Sequence, residues 1–177
     1  MPIIPGDAAD TTKSASVYIP GWPVVLPGLL MITVESVVFM HLDGRMTDAT
    51  YATYLRELEA SLTNRRRDAR VAVIYDIPTL SSLRAMGARA AGEILKRHRQ
   101  VLLETTACFA VVTPSAIARA AVQTVLSVSR LSFPQRAFGG LGGALAFAAT
   151  ILPEIQPDTI EQRIVEEFGV QRSRMRG

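Results

Sequence analysis

The segment Val71–Ser82, VAVIYDIPTLSS, constrains the fold more than any other. Five consecutive apolar residues, Val71 to Tyr75, lack the alternation of a strand with one wet face. They suit a strand covered on both faces, as in the middle of a parallel sheet with helices on either side. Asp76 ends the run, Pro78 breaks it, and Ser81 and Ser82 stand where a helix begins. A central strand that stops at an acid and feeds a helix N-terminus is a common place for an α/β domain to keep its working surface.

The flanking sequence builds the rest of the sheet. Ile32, Val34, Val37, Val38 and Phe39 are β-branched or aromatic, which suits strands. Glu35-Ser36 turns a hairpin between ITV and VVFMHLDG, and Asp43-Gly44 closes its second strand. Thr47 or Asp48 caps a helix that runs to about Asn64, because short oxygen-bearing side chains satisfy free N–H groups there. Tyr51, Tyr54, Leu55, Leu58 and Leu62 fall on one face of that helix. Its two tyrosines read as core residues with their hydroxyls at the rim.

After the central strand a helix is expected from about Ser81 to Glu104, then a strand at Cys108–Thr113. Pro114 and Ser115 open a helix to about Ser129, since proline is tolerated in a first helical turn. A short strand at Gln135–Phe138, a helix through ALAFAATIL and a further helix at Asp158–Phe168 complete the chain. The order is ββαβαβαβα with one extra helix. This is an α/β fold: a mixed, mostly parallel sheet with an N-terminal antiparallel strand pair and right-handed crossovers. Residues 1–30, with five prolines, read as an arm; 31–152 as the domain; 153–177 as a C-terminal helix and basic tail.

Composition removes several classes. At 177 residues and 49% hydrophobic, the chain can bury a core. Its net charge of +3 is small, whereas nucleic-acid binders concentrate basic charge on one face; no nucleic-acid partner is expected. The single cysteine, Cys108, sits in an apolar stretch and fits a reducing, cytoplasmic compartment. No secretory signal is read. The uncharged stretch 137–152 is shorter than the roughly 20 residues of a membrane span, so none is expected.

Catalytic patterns are not found. There is no G-x-S-x-G, no H-E-x-x-H and no Walker glycine-lysine pattern. No His/Cys cluster has metal-ligand spacing, so neither metal nor cofactor is expected. Asp43 and Asp76 both follow strands and can lie at one edge of the sheet. Two such acids can share a metal or do acid–base work, or each can cap its own turn. With no histidine, lysine or nucleophile accompanying them, turn capping is the reading taken. A basic group is also expected. Arg65, Arg66 and Arg67 follow the first helix, Lys96, Arg97 and Arg99 crowd the second, and the topology brings both to the strand-start side as an anion-binding patch.

Taken together, ITVESVVFMHLDGRMT, VAVIYDI, CFAVVTPSAIARA and PQRAFGGLGGALAFAATIL resemble the STAS-like domains, over about residues 31–152. These are relatives of bacterial anti-sigma-factor antagonists and of sulfate-transporter cytoplasmic domains, and the chain resembles in particular the small bacterial STAS-like proteins of no assigned activity. The resemblance implies a non-catalytic regulatory or interaction module, not an enzyme. It would bind a protein partner, a kinase or other regulator, around the central strand–helix turn. By position, the family's phosphorylated residue falls on Ser81 or Ser82, next to Asp76, with Arg84 in the first helical turn. The family's Asp-Ser-Ser-Gly run is absent, since Leu80 precedes the serines and Leu83 and Arg84 follow. The alternative is a carrier of a small apolar ligand or lipid between helices and sheet, with Trp22 and the arm as its lid. Oligomerisation is left open.

Overall fold

The computed structural model describes residue 19 and residues 22–79, 89–128 and 131–174, with side chains through 169 except that of residue 128. Six strands form one sheet: β1 (Val24–Leu26), β2 (Leu29–Val34), β3 (Val37–Leu42), β4 (Val71–Asp76), β5 (Thr106–Val112) and β6 (Gln135–Phe138). The helices among the described residues are α1 (Asp48–Thr63), α2 (Arg89–Arg97), α3 (Arg99–Thr105), α4 (Ala116–Val128), α5 (Leu141–Ala149) and α6 (Pro157–Arg174). The strands lie side by side in sequence order. β1, β2 and β3 pair antiparallel, and β3 to β6 pair parallel.

That order decides where the helices go. Right-handed crossovers between strands that always step in the same direction put every connecting helix on the same face. Accordingly α1 (Tyr54, Leu58, Leu62), α2 (Ala91, Ile94) and α4 (Val122) share one core with Val38, Met40, Val73, Tyr75 and Val111. The other face, with Ile32, Val34, Phe39, Ala72, Ile74 and Ala110, receives its cover from α5 (Ala144, Leu145, Ala148) and α6 (Ile160, Ile164). Successive residues of a strand point to opposite faces. The unbroken apolar run of β4 therefore divides into Val71, Val73 and Tyr75 on one core and Ala72 and Ile74 on the other.

Local chemistry fixes the boundaries. Thr47 caps α1, its Oγ1 accepting from the Thr50 N–H at 3.2 Å, and Asn64 ends the helix. Glu35 and Ser36 form the two-residue turn between Val34 and Val37, as expected. Glu35 takes a positive φ of 53°, a place where glycine is usual in such turns. α6 reaches this turn: Arg163 Nη1 donates to Glu35 Oε1 at 3.1 Å.

The sheet begins inside the stretch read as an arm. Ile19 and Trp22 are buried in the α1-side core, and Val24–Leu26 forms the edge strand β1. Leu26-Pro27-Gly28-Leu29 is a tight turn with proline second and glycine third, Gly28 at φ +79°, the pattern of a type II turn. The expected helix 81–104 is, where described, two helices that break at His98. Tyr54 also departs from expectation: it is fully buried, and its hydroxyl lies 3.2 Å from that of Tyr75 instead of at the rim. A partner inside the core removes the cost of burying the phenol. No described helix is long and apolar enough to cross a membrane.

Gly28 carries a sharp test. A Cβ there would stand 2.8 Å from both Asp43 Oδ1 and the Met46 backbone nitrogen. The residue also holds a left-handed conformation that costs other residues about 1–3 kcal/mol. Gly28→Ala is expected to destabilise by roughly 2 kcal/mol or more, read as a lower denaturant midpoint with an unchanged slope.

Candidate functional site

The carboxyl ends of the parallel strands carry a cluster of charged and ionisable side chains. His41 of β3 and Asp76 of β4 are register partners. Their side chains meet on the α6 face, with His41 Nδ1 2.7 Å from Asp76 Oδ2. An ionised carboxylate only accepts, so the Nδ1–H is the donor. His41 Nε2 lies 4.0 Å from Asp43 Oδ2, beyond hydrogen-bond reach. Phe168 of α6 meets the imidazole edge-on, with ring centroids 4.8 Å apart. The reading that no histidine accompanies Asp43 and Asp76 is thus corrected. The parallel register puts position 41 opposite position 76, although 35 residues separate them in sequence.

Asp43 is the anchor of the cluster. Its N–H donates to Gly28 O at 2.9 Å. Its Oδ1 accepts from the Arg45 backbone N–H at 2.7 Å, and its Oδ2 from Arg45 Nε at 2.8 Å. Burial works to raise its pKa. The Arg45 hydrogen bonds, the Arg45 charge and the His41 charge outweigh that effect and hold the carboxyl below its ordinary value of 3.8. The local Asp43–Arg45 turn is the capping role read from sequence, with an ion pair added.

Asp76 is half-buried and held by His41. This arrangement fixes the carboxylate in one direction. Ser81, Ser82 and Arg84, the other residues expected at this turn, lie outside the described residues. β5 ends at the same edge, with Val112 in register with Asp76. α4 starts there, Ser115 Oγ accepting from the Ala118 N–H at 3.2 Å. A sheet whose strands run in simple order has no point where crossovers diverge, and so lacks the usual crevice of doubly wound folds.

The six basic residues at the opposite edge are placed unequally. Arg66 pairs with Asp68, Arg67 with Glu104 at 3.2 Å, and Arg97 with Glu59 at 2.7 Å. Lys96 and Arg99 are exposed, with no ion pair among the described residues. The Arg67 and Arg97 pairs tie the loop after α1 to α3, and α2 to α1. Arg65 is not on the surface: it is 7% exposed. Its Nε and Nη1 are buried without a hydrogen-bond partner. Burial pulls its pKa down to about 10, against a smaller opposing effect from nearby Tyr75. Tyr75 is itself pushed up to about 12 by burial, partly offset by the Tyr54 hydrogen bond and the Arg65 charge. A run of three arginines after a helix reads as surface, and nothing in its spacing signals that the first turns inward.

Cys108 is buried, and burial pushes its thiol up to about 11, which leaves it unreactive. Among the described residues no three histidine, cysteine or acidic side chains are grouped to hold a metal ion. No family model, no curated protein and no solved structure matches the chain. The α/β fold with its mixed six-stranded sheet is therefore what stands of the expected family likeness.

Two stability measurements test this account. Because Asp43 is held below 3.8 in the fold, its contribution is present above that pH and is lost as pH falls through the lowered value. Asp43→Asn is expected to destabilise the protein near neutrality and to approach wild type in acid, as followed by denaturation at stepped pH. Arg65→Met removes two buried nitrogens that lack hydrogen-bond partners and keeps an apolar stem. It is expected to stabilise by about 1–3 kcal/mol, measured in the same titrations.

Proposed function

We propose that this protein is a non-catalytic, cytoplasmic regulatory module that binds a protein partner at the strand-end edge, across Asp76 and the outer face of α4. The observation that carries this reading is the exposure of apolar side chains on α4. Ile117 is 80% exposed and Val125 65%. Ala116, Ala120, Ala121 and Thr124 are also exposed, so the outward face of this helix bears no charge along its first ten residues. Arg119, the only charged residue in the helix, folds its guanidinium back onto the Thr113 carbonyl at 3.1 Å. A contiguous apolar surface of this kind marks an interaction site more often than it occurs on an isolated domain. α4 begins at the strand-end edge, and Asp76, held there by His41, faces the other side of the sheet, so a partner would have to reach over that edge to meet both. Apolar contact would supply affinity and the carboxylate orientation. The STAS-like resemblance supports the same kind of partner.

The test compares Ile117→Glu/Val125→Glu with Val165→Glu, an exposed apolar position on α6, in quantitative cross-linking and affinity capture from the native host. All three proteins are expected to melt alike, since the positions are exposed. Only the α4 variant is expected to lose the partner that wild type captures, by at least about tenfold, which is 1.4 kcal/mol. Equal capture by the α4 variant would remove this surface from the interface.

A further inference from the structure

The outer face of α4 makes no polar demand on whatever covers it. Each polar side chain of the helix already has a partner within the chain. Thr124 Oγ1 donates to the Ala120 carbonyl at 3.0 Å, and Ser127 Oγ to that of Gln123 at 2.8 Å. Gln123 Oε1 accepts from the Ala137 N–H of β6 at 3.0 Å, and Arg119 Nη1 donates to Thr113 O at 3.1 Å. An occupant therefore needs no charge and no hydrogen-bonding group, only a matching apolar relief.

That relief is symmetric. Ile117, Ala121 and Val125 form one row at i, i+4 and i+8, with the small residue between the two large ones. Ala116, Ala120 and Thr124 form a lower row beside it, and all six residues are exposed. Rows four residues apart are the ridges by which helices pack, each ridge entering the groove beside the other helix's ridge. A tall row beside a low one is complementary to its own copy turned end for end. Ile117 of one copy then lies against Val125 of the other, with both Ala121 residues at the crossing. Among the described residues the one other exposed large apolar side chain, Val165, stands alone on α6.

We propose that a second copy of this chain covers α4, the two helices crossing antiparallel about a twofold axis at Ala121. The inference rests on the reading of α4 as an interaction face and names the occupant of that face. A twofold pair brings like groups near like, which an uncharged face tolerates and a charged one opposes. The 13 residues of α4 span about 20 Å, and one such helix face falls short of the roughly 800 Å² per partner of a standard interface. The dimer is therefore weak and concentration-dependent.

Sedimentation equilibrium of the full-length protein from about 1 μM to about 1 mM is expected to show monomer and dimer, with a dissociation constant of roughly 10–500 μM. Ile117→Glu and Val125→Lys, made singly, are each expected to weaken the dimer at least about tenfold. Their melting temperatures are expected to stay unchanged, since both positions are exposed. An equimolar mixture of the two variants is expected to regain association as a heterodimer. The antiparallel pairing sets the new carboxylate against the new ammonium at one contact and leaves the other contact native. A wild type that is monomeric at every concentration, a dimer untouched by either substitution, or a mixture that stays monomeric would each overturn the proposal. A monomeric wild type whose α4 variant loses its host partner would remove the second copy and keep α4 as a docking face. Loss of the dimer with unchanged capture from the host would do the reverse.

Discussion

The simple order of the strands is the constraint on which the rest of this structure depends. Each strand pairs with the next in sequence, and right-handed connections then send every crossover helix to one side. The opposite side of a fully apolar strand such as β4 would face water if the chain ended at β6. The α5–α6 pair therefore completes the core. Small residues make this cover close: Ala144 and Ala148 belong to the same core as Ala72, Ala110 and Cys108. Gly143 runs so near the ring of Phe138 that a Cβ there would stand 3.3 Å from it.

Against that apolar frame, buried polar groups are treated in two different ways. At the strand ends they are matched. His41 gives its Nδ1–H to Asp76, Asp43 takes three hydrogen bonds from Arg45, and Phe168 covers the imidazole. On the α1 face they are matched only in part. The Tyr54 and Tyr75 hydroxyls satisfy each other, but Arg65 stays buried with two nitrogens unpartnered. The first pattern fixes a direction for a carboxylate. The second holds a charge where desolvation opposes it, a cost that packing of the surrounding face must offset.

How much of this was legible in the sequence depended on the range of the interactions involved. The hairpin at Glu35-Ser36, the caps of α1 at Thr47 and Asn64, the central strand and the strand Gln135–Phe138 all appear where periodicity and turn chemistry put them. Those signals are local. β1 was missed because three residues between Pro23 and Pro27 carry no periodicity; the pairing with β2 makes it a strand. The break at His98 was missed because the helical pattern runs through it. At the candidate site, Asp76 and Asp43 were visible as acids that end strands. The pairing of His41 with Asp76 was not, because it follows from parallel register between residues 35 apart. Arg65 was placed with its neighbours on the surface because burial of one arginine in three is decided by tertiary packing, not by spacing.

α6 joins features that are otherwise far apart. Arg163 reaches the strained turn at Glu35, Glu166 and Glu167 form the rim of a groove beside Trp22, and the next residue, Phe168, packs on His41. These positions span less than two turns of one helix, and Ile160 and Ile164 of the same helix are buried in the core. The helix that completes the second face of the sheet thus also meets the turn at the β2 edge and the imidazole that orients Asp76.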